Sequence, residues 1–259
     1  MTSFAEALGR FGWVEGKNIR VDYRFAAGDP ALFKTYAAEL VGLSPDAILA
    51  STPQAVAAVR QQTRTIPIVF VLVIDPVGLG FVQSLARPGG SITGFSAYDP
   101  PVMGKWLQLL KEVAPKVTRV AVIFNPDTTA SRLFNSAIEA AIAAHAREPG
   151  GGLICLPDSF IVTHRDVIIA AAARYGLPLF GSSEVFPRSG ALMSYFFDIV
   201  GVYAQAASYI DRILKGASPA DLPVQQPTKY SLIINLKTAK ALGLTVPAGM
   251  LDMADEVIE

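Results

Sequence analysis

The feature that most constrains this chain is a recurring unit: a short apolar run, then a polar residue, a proline and a helical pattern. Asp29-Pro30 opens a helix over Ala31–Val41, strand Asp46–Ala50 follows, and Thr52-Pro53 opens a helix over Gln54–Gln62. Strand Ile66–Val73 then leads to Asp75-Pro76 and a further helical stretch. An Asp or Thr N-cap accepts one of the helix's free N–H groups and proline at the first helical position removes another, so each pair marks a helix start. Continuously apolar strands alternating with helices fold as parallel sheet covered on both faces, which makes the expected architecture α/β and doubly wound.

The pattern runs on through a second series. After the loop Arg87–Gly90 comes a short strand, Ser91–Ser96, and a helix, Pro101–Val113, whose Met103, Trp106, Leu107, Leu110 and Val113 form a core stripe. Strand Arg119–Phe124, helix Ala130–Arg147, strand Gly152–Leu156, helix His164–Tyr175 and strand Leu177–Phe180 follow, with Thr163 and Asp166 spaced as a capping box. Strand Ala191–Tyr195, the long helix Ile199–Leu214 and the helix Asn235–Leu242, closed by Gly243, complete the series. Near the amino end, Phe4–Phe11 is a helix closing at Gly12. Beyond it Ile19, Val21, Tyr23 and Phe25 alternate with Arg20, Asp22 and Arg24, which predicts a strand over Asn18–Phe25 with one wet face, near a sheet edge.

Composition removes several classes of function. At 51% hydrophobic and 17% charged residues, the chain has ample apolar surface to bury and does not read as disordered. Its 22 Lys+Arg balance 22 Asp+Glu, so it lacks the basic surplus of a nucleic-acid binder. Mean hydropathy is +0.39, yet the longest apolar run, Ile66–Ile74, is of strand length and contains a proline. Cys155 stands alone, and His145 and His164 are the only histidines, so neither a disulfide framework nor a Cys/His metal cluster is expected, and no cofactor is implied. The start, Met1-Thr2-Ser3-Phe4, enters a helical pattern without the features of an export signal.

In doubly wound sheets ligands bind outside the carboxyl ends of the strands. The candidates there are Ser51, Thr52 and Pro53, Asp75, Ser96, Asn125, Asp158, the segment Ser182-Ser183-Glu184, and Tyr195 to Asp198. Each taken singly has a structural explanation: Thr52 and Asp75 as caps, Asn125-Pro126-Asp127 as a turn, Asp158 as a loop anchor. Their joint occurrence at strand ends in both halves raises the binding reading. The G-x-S-x-G, G-x-x-x-x-G-K-[ST], H-E-x-x-H and G-x-G-x-x-G patterns are missing, and both histidines fall in helical patterns, so a catalytic base is not expected and the chain does not read as an enzyme.

Longer stretches are more specific. Phe11-Gly-Trp-Val-Glu-Gly-Lys-Asn-Ile, Thr65-Ile-Pro-Ile-Val-Phe, Asp75-Pro-Val-Gly and Leu85-Ala-Arg-Pro-Gly-Gly-Ser-Ile-Thr-Gly resemble the ABC-transporter substrate-binding protein family that includes tryptophan and tyrosine binders. So does the tail from Leu222-Pro-Val-Gln-Gln-Pro-Thr-Lys-Tyr through Asn235-Leu-Lys-Thr-Ala-Lys-Ala-Leu-Gly-Leu. The resemblance implies a type I periplasmic-binding fold: two α/β lobes joined by a hinge, a small ligand held in the cleft between them, and a membrane permease as partner. Carried over, Ser51-Thr52-Pro53 and Asp75-Pro76 would face the ligand from the first lobe, and Asn125, Asp158 and Ser182-Ser183-Glu184 from the second, with Tyr195 and Asp198 near a return crossing. For an amino-acid zwitterion, hydroxyls and helix N-termini would take the carboxylate, and Asp75, Asp158, Glu184 and Asp198 compete to balance the ammonium.

The expected lobes are residues 1–96 with 190–220, and 97–189 with 221–259. Relatives begin with an export signal and a β-strand ahead of the first helix, and carry one more helix-strand unit in the second lobe, between Phe124 and Gly152; neither is expected here. Ile66–Val73 would thereby lose a neighbour, leaving a monomer open to strand exchange. By resemblance the protein would act in the periplasm or as a lipid-anchored extracellular receptor. A ligand-sensing module of a regulatory system is the alternative on the same fold, although no output domain fits in this length.

Overall fold

Helix starts are set by the caps. The computed structural model describes residues 2–97, 101–123, 140–157 and 159–259. After α1 (Thr2–Arg10), Asp29 Oδ1 accepts from the Ala31 N–H at 2.8 Å and begins α2 (Pro30–Gly42). Strand β1 (Ile48–Ser51) leads into α3 (Pro53–Gln62), and β2 (Ile68–Val73) and β3 (Ile92–Ser96) complete the first sheet. Its order is β1-β2-β3, parallel throughout, with Ile48 level with Ile68 and Ile68 level with Ile92. Gly94 allows the closest approach within it, because a Cβ there would run into the Phe70 backbone of β2. Ile48, Ala50, Val56, Val59, Ile68 and Phe70 form the core between this sheet and α3.

Two features of the first sheet differ from the sequence reading. The segment Asn18–Phe25 forms no strand; its amino end makes one isolated bridge, Glu15 with Ile19. Alternation prepares a segment for pairing but cannot supply a partner, and the side chains instead turn outward: Arg24 pairs with Glu39 of α2 at 2.7 Å, and Phe25 is exposed. Conversely, β2 has lost no neighbour. It is the central strand, and β1 lies at the edge.

After Asp75-Pro76 the chain makes turns, not a helix. Asp75 Oδ1 takes the Gly78 N–H at 2.8 Å and its carbonyl takes the Leu79 N–H at 3.1 Å, closing a local turn around glycine.

The second sheet has six strands in sequential order. They are β4 (Arg119–Ile123), β5 (Gly151–Cys155), β6 (Leu179–Gly181), β7 (Met193–Phe197), β8 (Tyr230–Asn235) and β9 (Glu256–Ile258). The pairs β4 to β7 are parallel, whereas β8 runs antiparallel to β7 and parallel to β9. The helices of this half are α4 (Pro101–Val113), α5 (Ser159–Thr163), α6 (Arg165–Arg174), α7 (Val185–Arg188), α9 (Leu236–Ala241) and α10 (Ala248–Asp252); α8 (Ile199–Leu214) belongs to the other half. Trp106 of α4 is fully buried, stacks on Phe180 and donates its indole N–H to the Tyr195 carbonyl at 2.8 Å. Thr163 ends α5 and the N-cap position of α6 falls to His164, one residue later than the expected box, with His164 Nδ1 donating to the Phe160 carbonyl at 2.8 Å. The helix expected from Ala130, and with it the helix-strand unit not expected between Phe124 and Gly152, falls largely on 124–139, outside the described residues.

The contacts divide the chain into two compact units, Met1–Asp99 with Asp198–Lys229, and Pro100–Phe197 with Tyr230–Glu259. Residues 190–197, expected in the first lobe, belong to the second unit because β7 is paired by β6 and β8. Residues 221–229, expected in the second lobe, belong to the first because Leu222–Gln225 lies along β3. There the Gln225 carbonyl accepts from the Ser96 N–H at 2.8 Å and the Gln225 N–H donates to the Gly94 carbonyl at 3.0 Å.

In the first unit the segment just after α1 is fastened to α8 through Asp211, which is almost wholly buried. Burial alone would raise its pKa. The Lys215 ammonium at 2.7 Å and the Trp13 indole N–H at 2.9 Å outweigh that and hold the carboxyl below its ordinary value. A lowered carboxyl contributes stability that is present above its unfolded pKa and is lost as pH falls through the folded one. Asp211→Ala should therefore cost about 1.5–3 kcal/mol at neutral pH, with a smaller difference from wild type in acid, measured by urea unfolding across pH.

Candidate functional site

Parallel pairing brings the carboxyl ends of β1, β2 and β3 to one edge of the first unit, and with them Ser51, Thr52, Pro53, Asp75 and Ser96. Thr52 carries the strain. Its φ of 82° and ψ of 154° lie where side chains are rarely held, at a cost of about 1–3 kcal/mol. It is the N-cap residue of α3, yet its side chain makes no capping bond, and Oγ1 is buried without a hydrogen-bond partner among the described residues. The capping explanation therefore fails for the Thr52 hydroxyl; Pro53 at the first helical position does the work of starting α3. At the end of β2 the ladder slips at Leu72 (φ 59°), and Asp75 follows at φ 48°. Such bulges re-aim the residues that follow a strand.

Ser51 has a partner that sequence reasoning missed. Tyr203, in the second turn of α8, donates its hydroxyl to Ser51 Oγ at 2.8 Å. Burial raises the Tyr203 phenol above its ordinary pKa, partly offset by the Ser51 hydrogen bond. Its position reads in sequence as one more residue of a long helix, and nothing local marks it. Ser96 is differently placed: its hydroxyl and N–H both turn to the Gln225 carbonyl, at 3.3 and 2.8 Å, so it fastens the return segment to β3. Asp198 is the N-cap of α8, accepting from the Gly201 N–H at 2.8 Å.

In the second unit the carboxyl end of β6 lies beside the middle of β7, with Gly181 level with Ser194, so Ser182, just past β6, comes level with Tyr195. Gly181 is required here, because a Cβ would collide with Phe186 of α7. Ser182 and Ser183 are buried, and Ser183 Oγ has no hydrogen-bond partner among the described residues. Tyr195 stacks on Tyr230 with ring centroids 5.2 Å apart. Glu184 is exposed and ion-paired to Arg188 at 3.1 Å, and Arg188 also holds Glu256 at 2.8 Å. Asn125 and Asp158 lie outside the described residues.

The acidic residues and the hydroxyls thus have different fates. Asp75 and Asp198 are each engaged with a backbone N–H and Glu184 with a cation, whereas Thr52 and Ser183 keep buried hydroxyls without a partner among the described residues. What these edges can do is hydrogen-bond a polar solute. Cys155 adds no chemistry: burial pushes its thiol up to about 12, so it stays protonated and unreactive.

The family model described as ABC transporter substrate binding protein matches residues 1–142 and 134–258. The chain belongs to that family. A relative from Clostridioides difficile (strain R20291), named tyrosine-binding protein, is 30% identical over 265 residues, which span 93% of this chain and 75% of the relative. Among solved structures, a conserved domain protein from Vibrio cholerae matches with a TM-score of 0.90 at 30% identity, over 99% of this chain and 93% of that one. The ABC domain in complex with L-Trp from Streptococcus pneumonia matches with the same TM-score and the same coverage at 21% identity, which establishes likeness of fold. The family resemblance and the α/β fold with parallel sheets expected from sequence therefore hold. Members of an ABC substrate-binding family hold solutes and do not transform them.

The strain at Thr52 generates a prediction. Glycine adopts φ 82° freely, so Thr52→Gly should leave stability unchanged or raise it by about 1 kcal/mol in denaturant unfolding. Loss of about 1 kcal/mol or more would show that the hydroxyl or methyl of Thr52 is a structural contact.

Proposed function

We propose that this chain is the solute-binding component of an ABC importer whose ligand is an amino acid, aromatic in character, or a related small carboxylate. The observation that carries the choice of ligand is the tyrosine-binding relative, similar over 93% of this chain; the L-Trp complex of a protein sharing the fold supports the same class. In this reading Ser51, Thr52 and the start of α3 at Pro53 meet the ligand from the first unit together with Asp75, and Ser182, Glu184 and Tyr195 from the second, with Asn125 and Asp158. Asp198 sits at a crossing between the units. Hydroxyls suit a carboxylate by donating, and an aromatic side chain suits tyrosine rings such as that of Tyr195. Asp75 and Asp198 each spend one oxygen on a backbone N–H, and a carboxylate has a second oxygen to offer an ammonium.

Capture proceeds by hinge closure about the three places where the chain passes from one unit to the other. The loaded protein delivers its ligand to a membrane permease, on the outer side of the cytoplasmic membrane. It acts as a monomer: β1, at the edge of the first sheet, is four residues long and offers too few ladder bonds for stable strand exchange.

A thermal-shift series with L-tyrosine, L-tryptophan, non-aromatic amino acids and sugar alcohols tests the ligand class. A ligand at a hundred times its Kd stabilises the native state by about 2.7 kcal/mol, so an aromatic amino acid should raise the melting temperature by several degrees, with calorimetry giving one site. A shift with another solute alone would reassign the ligand, and no shift with any of them would overturn the receptor reading.

A further inference from the structure

The hydrogen bond from Tyr203 to Ser51 joins the second turn of α8 to the carboxyl end of β1, residues 152 apart in sequence. Three observations make it more than a packing contact. Ser51 immediately precedes the strained Thr52, whose N–H is bound to the Val71 carbonyl at 3.1 Å and whose carbonyl takes the first α3 bond, from the Val56 N–H at 3.2 Å. The backbone at this junction is therefore held on both sides of a residue whose φ alone would let it relax. Next, Tyr203 is the donor, so Ser51 Oγ has accepted one hydrogen bond and its own proton is left to donate. Finally, the bond is partly buried, which shields it from competing water.

We propose that Tyr203 is a positioning residue for the ligand-facing loop: it fixes the Ser51 side chain and, by donating to it, makes Ser51 a directed, strengthened donor toward an acceptor oxygen of the ligand. A donor that itself accepts a hydrogen bond is polarised, and the chain Tyr203 to Ser51 to ligand is cooperative in that sense. The inference rests on the reading of Ser51 as ligand-facing given above, and it adds a residue on another element that never touches the ligand. It also assigns the chemistry of the Ser51 contact: the proton left on Ser51 meets an acceptor of the ligand, such as a carboxylate or carbonyl oxygen.

The test uses the full chain as Tyr203→Phe, Ser51→Ala and the double variant. Without ligand, hydrogen exchange of the Thr52 and Val56 amides should quicken about tenfold in Tyr203→Phe while the carboxyl-terminal half of α8 keeps its wild-type rates. With L-tyrosine as probe, or L-tryptophan if only that binds, Tyr203→Phe should weaken affinity about tenfold in wild type and have little further effect in Ser51→Ala, because the phenol acts only through Ser51. Unchanged exchange at Thr52 and Val56, or a loss spread through the whole of α8, would overturn the positioning role. So would an equal loss of affinity from Tyr203→Phe with and without Ser51. Should Tyr203→Phe not fold, Ser51→Ala removes the same bond and should quicken the same amides. If the wild type takes neither amino acid, the ligand class proposed above fails, and the exchange arm still decides for or against Tyr203.

Discussion

Parallel pairing governs the rest of this structure. When β1, β2 and β3 run the same way in a fixed register, their carboxyl ends are forced to one edge, and residues far apart in sequence, Ser51 and Asp75 among them, arrive there together. The strands themselves are largely apolar and buried, so the polar candidates fall at their last residues, as Ser51 and Ser96 do, or just beyond them. The bulge at Leu72 lengthens β2 by one residue relative to β3 and sets where Asp75 emerges. In the second unit the same logic places Ser182 and Tyr195 side by side.

Hydrogen-bond accounting at these edges separates groups spent on the fold from groups left over among the described residues. Asp29, Asp198 and Asn235 look alike in sequence to Thr52, each preceding a helix, and the first three accept from their own helices, as capping chemistry requires. Thr52 does not, and its backbone is strained besides. A cap that neither caps nor relaxes is unfavourable on both counts, and such positions persist where the surrounding structure holds them for another purpose. Ser183 belongs with it, as a buried hydroxyl with no partner among the described residues, following a glycine that exists to seat Phe186.

Much of the fold was legible because its signals are local. Asp29-Pro30 and Thr52-Pro53 mark true helix starts, and Ile68–Val73 and Ile92–Ser96 are buried strands, since a short apolar run bounded by turn signals has few alternatives. What was illegible depends on partners. Asn18–Phe25 has the pattern of a strand and remains unpaired apart from the bridge at Ile19. Tyr230–Asn235 and Glu256–Ile258 are strands that went unread, the first because its role is fixed by antiparallel pairing to β7, some forty residues upstream, and the second because three residues carry no period. That pairing also moved the unit boundary from 190 to 198. For the site, hydroxyls and carboxylates at strand ends were visible as a set, but whether each is spent or free follows only from geometry: Glu184 meets Arg188 one helical turn on, and Ser96 meets Gln225 from a segment 129 residues away.

A receptor that works by binding alone has a reason to leave such groups unspent. Each buried hydroxyl without a partner costs about 1–3 kcal/mol in the free protein, and a ligand that supplies the missing partner recovers that cost on binding, in addition to the contact it makes. Such groups can also discriminate, because a solute that lacks the matching polar atom leaves the cost in place. Fully capped and paired strand ends would give a more stable sheet with nothing to offer a solute. The stability that permits this is held elsewhere: in the Asp211 bond to Trp13 and in the apolar core under α3, away from the carboxyl-end loops and free to be optimised for packing.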